Sequence, residues 1–151
     1  MILTKSDGVA LGARRYSNSR PIVRAFDFNG LTINVEFDAG QTKTGVGDYG
    51  QVWRKTYEVP YGEIDGSTSP HDGDAVDCYL GDSSDSADVY VVHQLKRDGS
   101  HDEDKCMLGF GDMDSAVAAY VAHGPEWGLG PVDAMTVDQF LNGYLAGTRD
   151  I

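Results

Sequence analysis

Short apolar runs divided by glycine-rich polar segments fill the first two-thirds of the chain, and most alternate with the two-residue period of strands. Ala25-Phe26-Asp27-Phe28, then Asn29-Gly30, then Leu31 to Phe37 predict a β-hairpin, because Asn-Gly tolerates the positive φ angles of a tight turn. On the second arm Leu31, Ile33, Val35 and Phe37 share one face, which sends Glu36 to the other. Val52 to Val59 is a weaker strand signal. Val76 to Leu80, Val89 to Leu95 and Cys106 to Phe110 are stronger, the first two separated by the polar loop Asp82 to Asp88 and the last two by a turn at Lys96 to Ser100.

The period then changes. Asp114 to His123 reads as a helix capped by Asp112 or Asp114 and stopped at Gly124. A second helix starts at Thr136, with Gln139 completing a capping box and Met135 placed to staple against Phe140, and it fades near Gly147. No repeat, linker or low-complexity block interrupts the pattern. The expectation is one α+β domain, strands first and helices last.

Composition narrows the function. The chain has 151 residues and 40% hydrophobic side chains, enough for a real core. No apolar run reaches membrane length and no signal-peptide core is visible, so a soluble, cytoplasmic protein with no membrane partner is expected. Cys78 and Cys106 have no metal-site spacing; their pairing is open, and a reducing compartment disfavours it. Net charge is −12 but uneven: residues 1–26 hold five basic side chains (Lys5, Arg14, Arg15, Arg20, Arg24) against Asp7, while the other 125 residues hold 7 basic and 23 acidic ones. We read 1–26 as a basic N-terminal arm, either a solvated terminus or a dock for an acidic partner, ahead of a domain at 27–151. The acidic body argues against nucleic-acid binding through its main surface and suits divalent cations.

Several familiar motifs fail. Gly45-Val46-Gly47-Asp48-Tyr49-Gly50 matches a dinucleotide fingerprint in letters, but no helical period follows it, so it reads as a turn-rich loop. Lys43 precedes those glycines, which excludes a phosphate-binding P-loop. The four histidines show no paired spacing, which gives zinc little support. The segment Asp72-Gly73-Asp74-Ala75-Val76-Asp77 survives. Its carboxylates can gather around one point, and an all-oxygen set suits Mg²⁺ or Mn²⁺; the same residues also make an ordinary solvated turn. Asp98 to Lys105 adds a second acidic cluster ending in a lysine, Glu36 and Lys43 flank a Gly40-Gln41-Thr42 turn, and Tyr61-Gly62 precedes the hexad. Carboxylates with a few cations and a phenol are what a metal-bridged phosphate substrate requires.

Tyr61-Gly62-Glu63-Ile64, the Asp72 to Asp77 hexad and the Asp98 to Lys105 run together resemble the signature regions of soluble family I inorganic pyrophosphatases. With "GQTKTG" and "DEDKCMLGF" the chain is most similar to the divergent pyrophosphatase-like domain of bacteriophage proteins. The resemblance implies a small five-stranded, OB-like β-barrel flanked by two C-terminal helices, and Mg²⁺-dependent hydrolysis of pyrophosphate, with Mn²⁺ as a substitute. It implies metal ligation by Asp72, Asp77 and Glu103, with Asp98 and Glu36 holding further ions, and Asp74 orienting or deprotonating the attacking water. Lys43, Lys105 and Tyr61 would bind phosphate oxygens, with Arg54 or Lys55 as a further cation. Glu103 stands where the family has aspartate, which leaves Asp102 as an alternative ligand. The family's late Tyr-Lys pair has no counterpart beyond Tyr120 and His123. Hydrolysis of a nucleotide or another phosphoanhydride, or a non-catalytic role in a virion or its assembly, therefore stays open, as does homo-oligomerisation.

Overall fold

The computed structural model describes residues 21–69 and 73–148. Asp72 and the basic residues Lys5, Arg14, Arg15 and Arg20 lie outside the described residues. The strands are β1 (Arg24–Phe28), β2 (Leu31–Phe37), β3 (Thr42–Val46), β4 (Val52–Thr56), β5 (Tyr61–Ile64), β6 (Asp77–Leu80), β7 (Asp88–Leu95), β8 (His101–Leu108) and β9 (Val132–Thr136). Seven of them make one mixed sheet in the order β1-β2-β5-β6-β8-β7-β9, and β3 pairs only with β4. The α+β class holds and is consistent with an OB-like fold, but the main sheet has seven strands, and no pairing among the described residues joins β1 to β9 to close a barrel.

Strict alternation divides the sheet between two cores. Cys78 and Leu80 of β6, Val89 and Val91 of β7, and Cys106 and Leu108 of β8 face a cluster that includes Phe140 and Leu145. Their neighbours Tyr79, Tyr90, Val92 and Met107 face a second cluster with Ala116 and Tyr120. Each fully buried aliphatic side chain contributes roughly 1.5–3 kcal/mol, so burial on both faces explains why these strands read as continuous apolar runs.

Two bulges reset the alternation. Val35 pairs with Gly62 and Phe37 with Tyr61, so Glu36 is the extra residue. Phe37 is thereby turned to the second cluster, away from the face it was expected to share with Ile33 and Val35. In the β7–β8 hairpin Gln94 pairs with Glu103 and Leu95 with His101, leaving Asp102 as the extra residue.

Helix α1 (Met113–His123) is capped by Asp112, whose carboxylate accepts from the Ser115 N–H at 2.7 Å. It covers the second core through Ala116 and Tyr120. The C-terminal segment covers the first. It opens with the expected Thr136–Gln139 capping box and runs through α2 (Val137–Gln139), a π turn (Phe140–Tyr144) and α3 (Leu145–Thr148). The wide turn buries Phe140 and stacks its ring on Tyr144 at 5.5 Å.

The Asn29-Gly30 hairpin forms with φ of 50° and 89° at its two turn residues. The Gly45 to Gly50 segment is the end of β3 and its turn into β4. Gly45 makes room there for the Trp53 indole across the hairpin, which a Cβ would push aside. Strand β9 was not expected; Asp133 and Ala134 give it weak strand propensity, and it forms as an edge strand against β7. The basic-arm boundary at 26/27 falls inside β1, where Arg24 pairs with Val35 and meets Asp38 at 2.7 Å. No helix of the described residues is long and apolar enough to cross a membrane.

Candidate active site

A cavity of about 540 Å³ opens between the β3–β4 hairpin, the second face of the sheet and the C-terminal end of α1. Strand β8 sends Glu103 and Lys105 into it, and the bulge adds Asp102. Asp77 comes from β6, which pairs with β8 in parallel so that Asp77 lies beside Lys105. Tyr61 comes from β5, opposite Tyr79. Gly62, next to it, allows the close approach of β2, since a Cβ there would run into the Asn34 carbonyl.

Lys105 is the hub. Its Nζ donates to Asp77 Oδ2 and to Tyr61 Oη, each at 2.8 Å, and pairs with Glu103 Oε2 at 2.9 Å. Burial alone would lower its pKa, but Tyr61, Asp77 and Glu103 outweigh that and hold it well above the usual lysine range. Burial pushes the Tyr61 phenol well up, so it stays neutral. Burial also pushes the Glu103 carboxyl up further than Lys105 pulls it down, and Asp77 and Asp102 add to the rise. Lys105 is thus bonded to two of the cavity's acids, and Asp102 lines the same space from the bulge.

The facing wall is cationic. Lys43 and Lys55 are direct cross-strand partners in the β3–β4 hairpin, an arrangement that repels. The Lys55 ammonium sits over the Tyr57 ring at 4.8 Å and reaches Tyr79 Oη at 3.4 Å. Burial, then Lys105 and Lys43, pull its pKa down to about 8. Lys96 and Arg97, from the β7–β8 turn, close the rim. Arg97 lies over the half-exposed Trp127 ring at 5.0 Å.

At the back, Tyr120 Oη donates to Gln94 Oε1 at 2.6 Å, and the Gln94 amide donates to Asp102 Oδ2 at 2.9 Å. His123 is structural: its Nε2 accepts from the Glu58 N–H at 2.9 Å, and its Nδ1 donates to the Ala119 carbonyl at 2.6 Å. Burial, with Lys55 nearby, lowers its pKa and keeps it neutral.

The inorganic pyrophosphatase family model matches residues 14–144. The chain belongs to that family. No curated protein and no solved structure matches the chain. Of the residues that the pyrophosphatase resemblance singled out, Lys43, Tyr61, Asp77, Glu103 and Lys105 meet in the cavity. Lys55 rather than Arg54 lines it, because the two alternate on β4. Both Asp102 and Glu103 line it, because the bulge turns the two successive acids to the same side. Three others are not brought there. Glu36 sits at its own bulge and lines a separate recess with Val23 and Gln41. Asp98 is exposed and accepts from the Ser100 N–H and hydroxyl at 2.9 and 2.6 Å. Asp74 is half-buried in the loop before β6, where its carbonyl accepts from the Ser69 N–H at 2.7 Å. Lys96 and Arg97 were passed over as turn residues. Their signal was a pair of cations in a predominantly acidic stretch.

Proposed function

We propose that this cavity hydrolyses inorganic pyrophosphate with the help of Mg²⁺ or Mn²⁺. The observation that carries the reading is charge. In a chain of net charge −12, five cations (Lys43, Lys55, Lys96, Arg97 and Lys105) line one cavity together with Asp77, Asp102 and Glu103. Cations alone would suit any anion; cations that share a cavity with an all-oxygen carboxylate set suit an anion that arrives with a metal. The donor set fits Mg²⁺, since Asp77, Asp102 and Glu103 offer only oxygen; the role expected of Asp72 joins theirs as part of the proposal. A divalent ion there would cancel substrate charge and ease deprotonation of the attacking water.

The chain's own residues do the rest. Lys43 and Lys55 grip phosphate oxygens from the hairpin, and the approach of that charge relieves their mutual repulsion. Tyr61 donates its O–H as a neutral phenol. Lys105 serves the phosphate that leaves, while its bonds to Asp77 and Glu103 fix its position. Asp74 does not line the cavity, so its proposed role of orienting or deprotonating the water rests on the family resemblance and not on its position. Lys55, Lys96 and Arg97 supply the charge that the absent late lysine would have provided.

A second reading, hydrolysis of a nucleotide or another phosphoanhydride, is favoured by Trp127. Its ring is 45% exposed on the rim beside Arg97, and a cavity of about 540 Å³ has room beyond two phosphates. Phosphate release from pyrophosphate and from nucleoside triphosphates, with and without Mg²⁺, separates the readings. Pyrophosphate turnover that requires the metal supports the first, and selective triphosphate turnover the second. No release from any substrate would sink both. Asp74→Asn is expected to stop turnover with the fold intact; unchanged turnover would remove Asp74 from the reaction.

A further inference from the structure

The histidines carry no metal-site spacing in sequence, yet the β7–β8 hairpin brings two of them together on the face of β8 turned away from the cavity. Asp104 Oδ1 accepts from His93 Nδ1 at 2.7 Å and from His101 Nε2 at 2.8 Å. Those three donor atoms lie within 4.8 Å of one another, and among the described residues no other three histidine, cysteine or carboxylate groups converge so closely. The bulge at Asp102 makes this possible: without it, residues 101 and 104 of a strand would point to opposite faces.

From this arrangement we propose a second metal site, distinct from the cavity, in which His93 Nδ1, His101 Nε2 and Asp104 Oδ1 bind one Zn²⁺-class ion. Two imidazoles and one carboxylate suit zinc and disfavour Mg²⁺, which takes oxygen ligands. The surroundings are built as metal ligands are usually supported. The other ring nitrogen of His93 lies 2.8 Å from Asp133 Oδ2, the carboxylate–histidine relay that fixes a ligand's orientation. The other oxygen of Asp104 accepts from Tyr144 Oη at 2.7 Å, so the carboxylate is also held. Tyr144 comes from the π turn, which gives that irregular turn a purpose. The side chains of His93 and His101 are 27% and 32% exposed, which leaves an entry path and room for a water ligand.

The ion would replace the hydrogen bonds that now join the three side chains. It would clamp the β7–β8 hairpin and, through Asp104 and Tyr144, tie the C-terminal segment to the sheet. Competing soft ligands are few among the described residues. Cys78 and Cys106 are fully buried in the first core, and His123 is committed at both nitrogens.

The test is calorimetric titration of Zn²⁺ into the full chain in saturating Mg²⁺, with thermal unfolding recorded in parallel. The expected result is one saturable Zn²⁺ per chain and a raised Tm, with Asp104→Asn and His101→Ala each weakening binding at least about tenfold. Asp133→Asn, which alters an exposed side chain and spares the three ligands, is expected to weaken it about tenfold and guards against a folding defect in the others. Absence of saturable binding, displacement of zinc by Mg²⁺, or unchanged affinity in all three variants would overturn the proposal. Because the readouts are binding and Tm, the result stands apart from whether the cavity hydrolyses pyrophosphate.

Discussion

On the cavity face of β8, Asp102 and Glu103 look across at a wall of lysines, and Glu103 is held above its ordinary pKa. On the opposite face Asp104 is satisfied by His93, His101 and Tyr144, and its pKa stays below the ordinary value although burial pushes the other way. Three consecutive acids on one strand thus meet opposite fates. The Asp104 face joins its own side chains by hydrogen bonds, of which the proposed zinc ion would replace the two from the histidines. On the cavity face Lys105 bonds Asp77 and Glu103, while Lys43, Lys55, Lys96 and Arg97 line the same space, a concentration of charge that suits a charged ligand.

The largest expected effect comes from removing the hub of the cavity face. Lys105→Met leaves the half-buried Asp77 and Glu103 facing each other without their lysine, and denaturant unfolding should show a loss of about 3 kcal/mol, the low end for a broken buried pair because both acids keep some solvent contact. A loss below about 1 kcal/mol would mean that the carboxylates are hydrated and uncoupled.

Lys55→Met should act in the opposite direction on stability. The Lys55 pKa lies at about 8 in the folded protein, below its ordinary lysine value, so its charge opposes folding. The variant should gain about 1 kcal/mol near neutral pH, discounted for partial solvent exposure. That penalty is complete below pH 8 and fades as pH rises from there towards the unfolded lysine value, so the two proteins should converge in alkaline buffer. The same variant should raise KM for pyrophosphate. Lower stability at pH 7 would show that Lys55 is a structural cation.

The smallest effect belongs to the other face. Tyr144→Phe deletes the 2.7 Å bond to Asp104, and the denaturation midpoint should register a loss of about 1 kcal/mol. A stabilised variant would erase the contrast between the two faces.

Much of this architecture was legible from local pattern. The Asn29-Gly30 hairpin and the Thr136–Gln139 box depend on neighbours in sequence and formed as read, and of the two caps left open for the first helix, Asp112 or Asp114, it is Asp112. Tyr61, Asp77, Glu103 and Lys105 were singled out by the pyrophosphatase resemblance, and the side-by-side pairing of their strands brings them together. What stayed hidden depends on register. A bulge is one unpaired residue with no signature of its own, yet the one at Asp102 delivers two acids to the cavity and turns His101 towards Asp104. The one at Glu36 moves Phe37 to the other core. Strand β8 begins at His101, well before the apolar run at Cys106, because cross-strand and tertiary partners satisfy its acids and override poor strand propensity. Pairings between residues such as Lys43 and Lys55, or His93 and His101, exist only once the hairpins close.

The central claim is that the cavity face of β8 works on a metal-bound phosphoanhydride. Phosphate release from pyrophosphate by the wild-type chain and by Glu103→Gln, with Mg²⁺ present and then chelated, tests it most directly. The expected result is metal-dependent release of two phosphates per pyrophosphate, and a kcat reduced by about 100-fold or more in a variant that remains folded. Equal rates in the two proteins, or wild-type turnover that survives chelation, would contradict it.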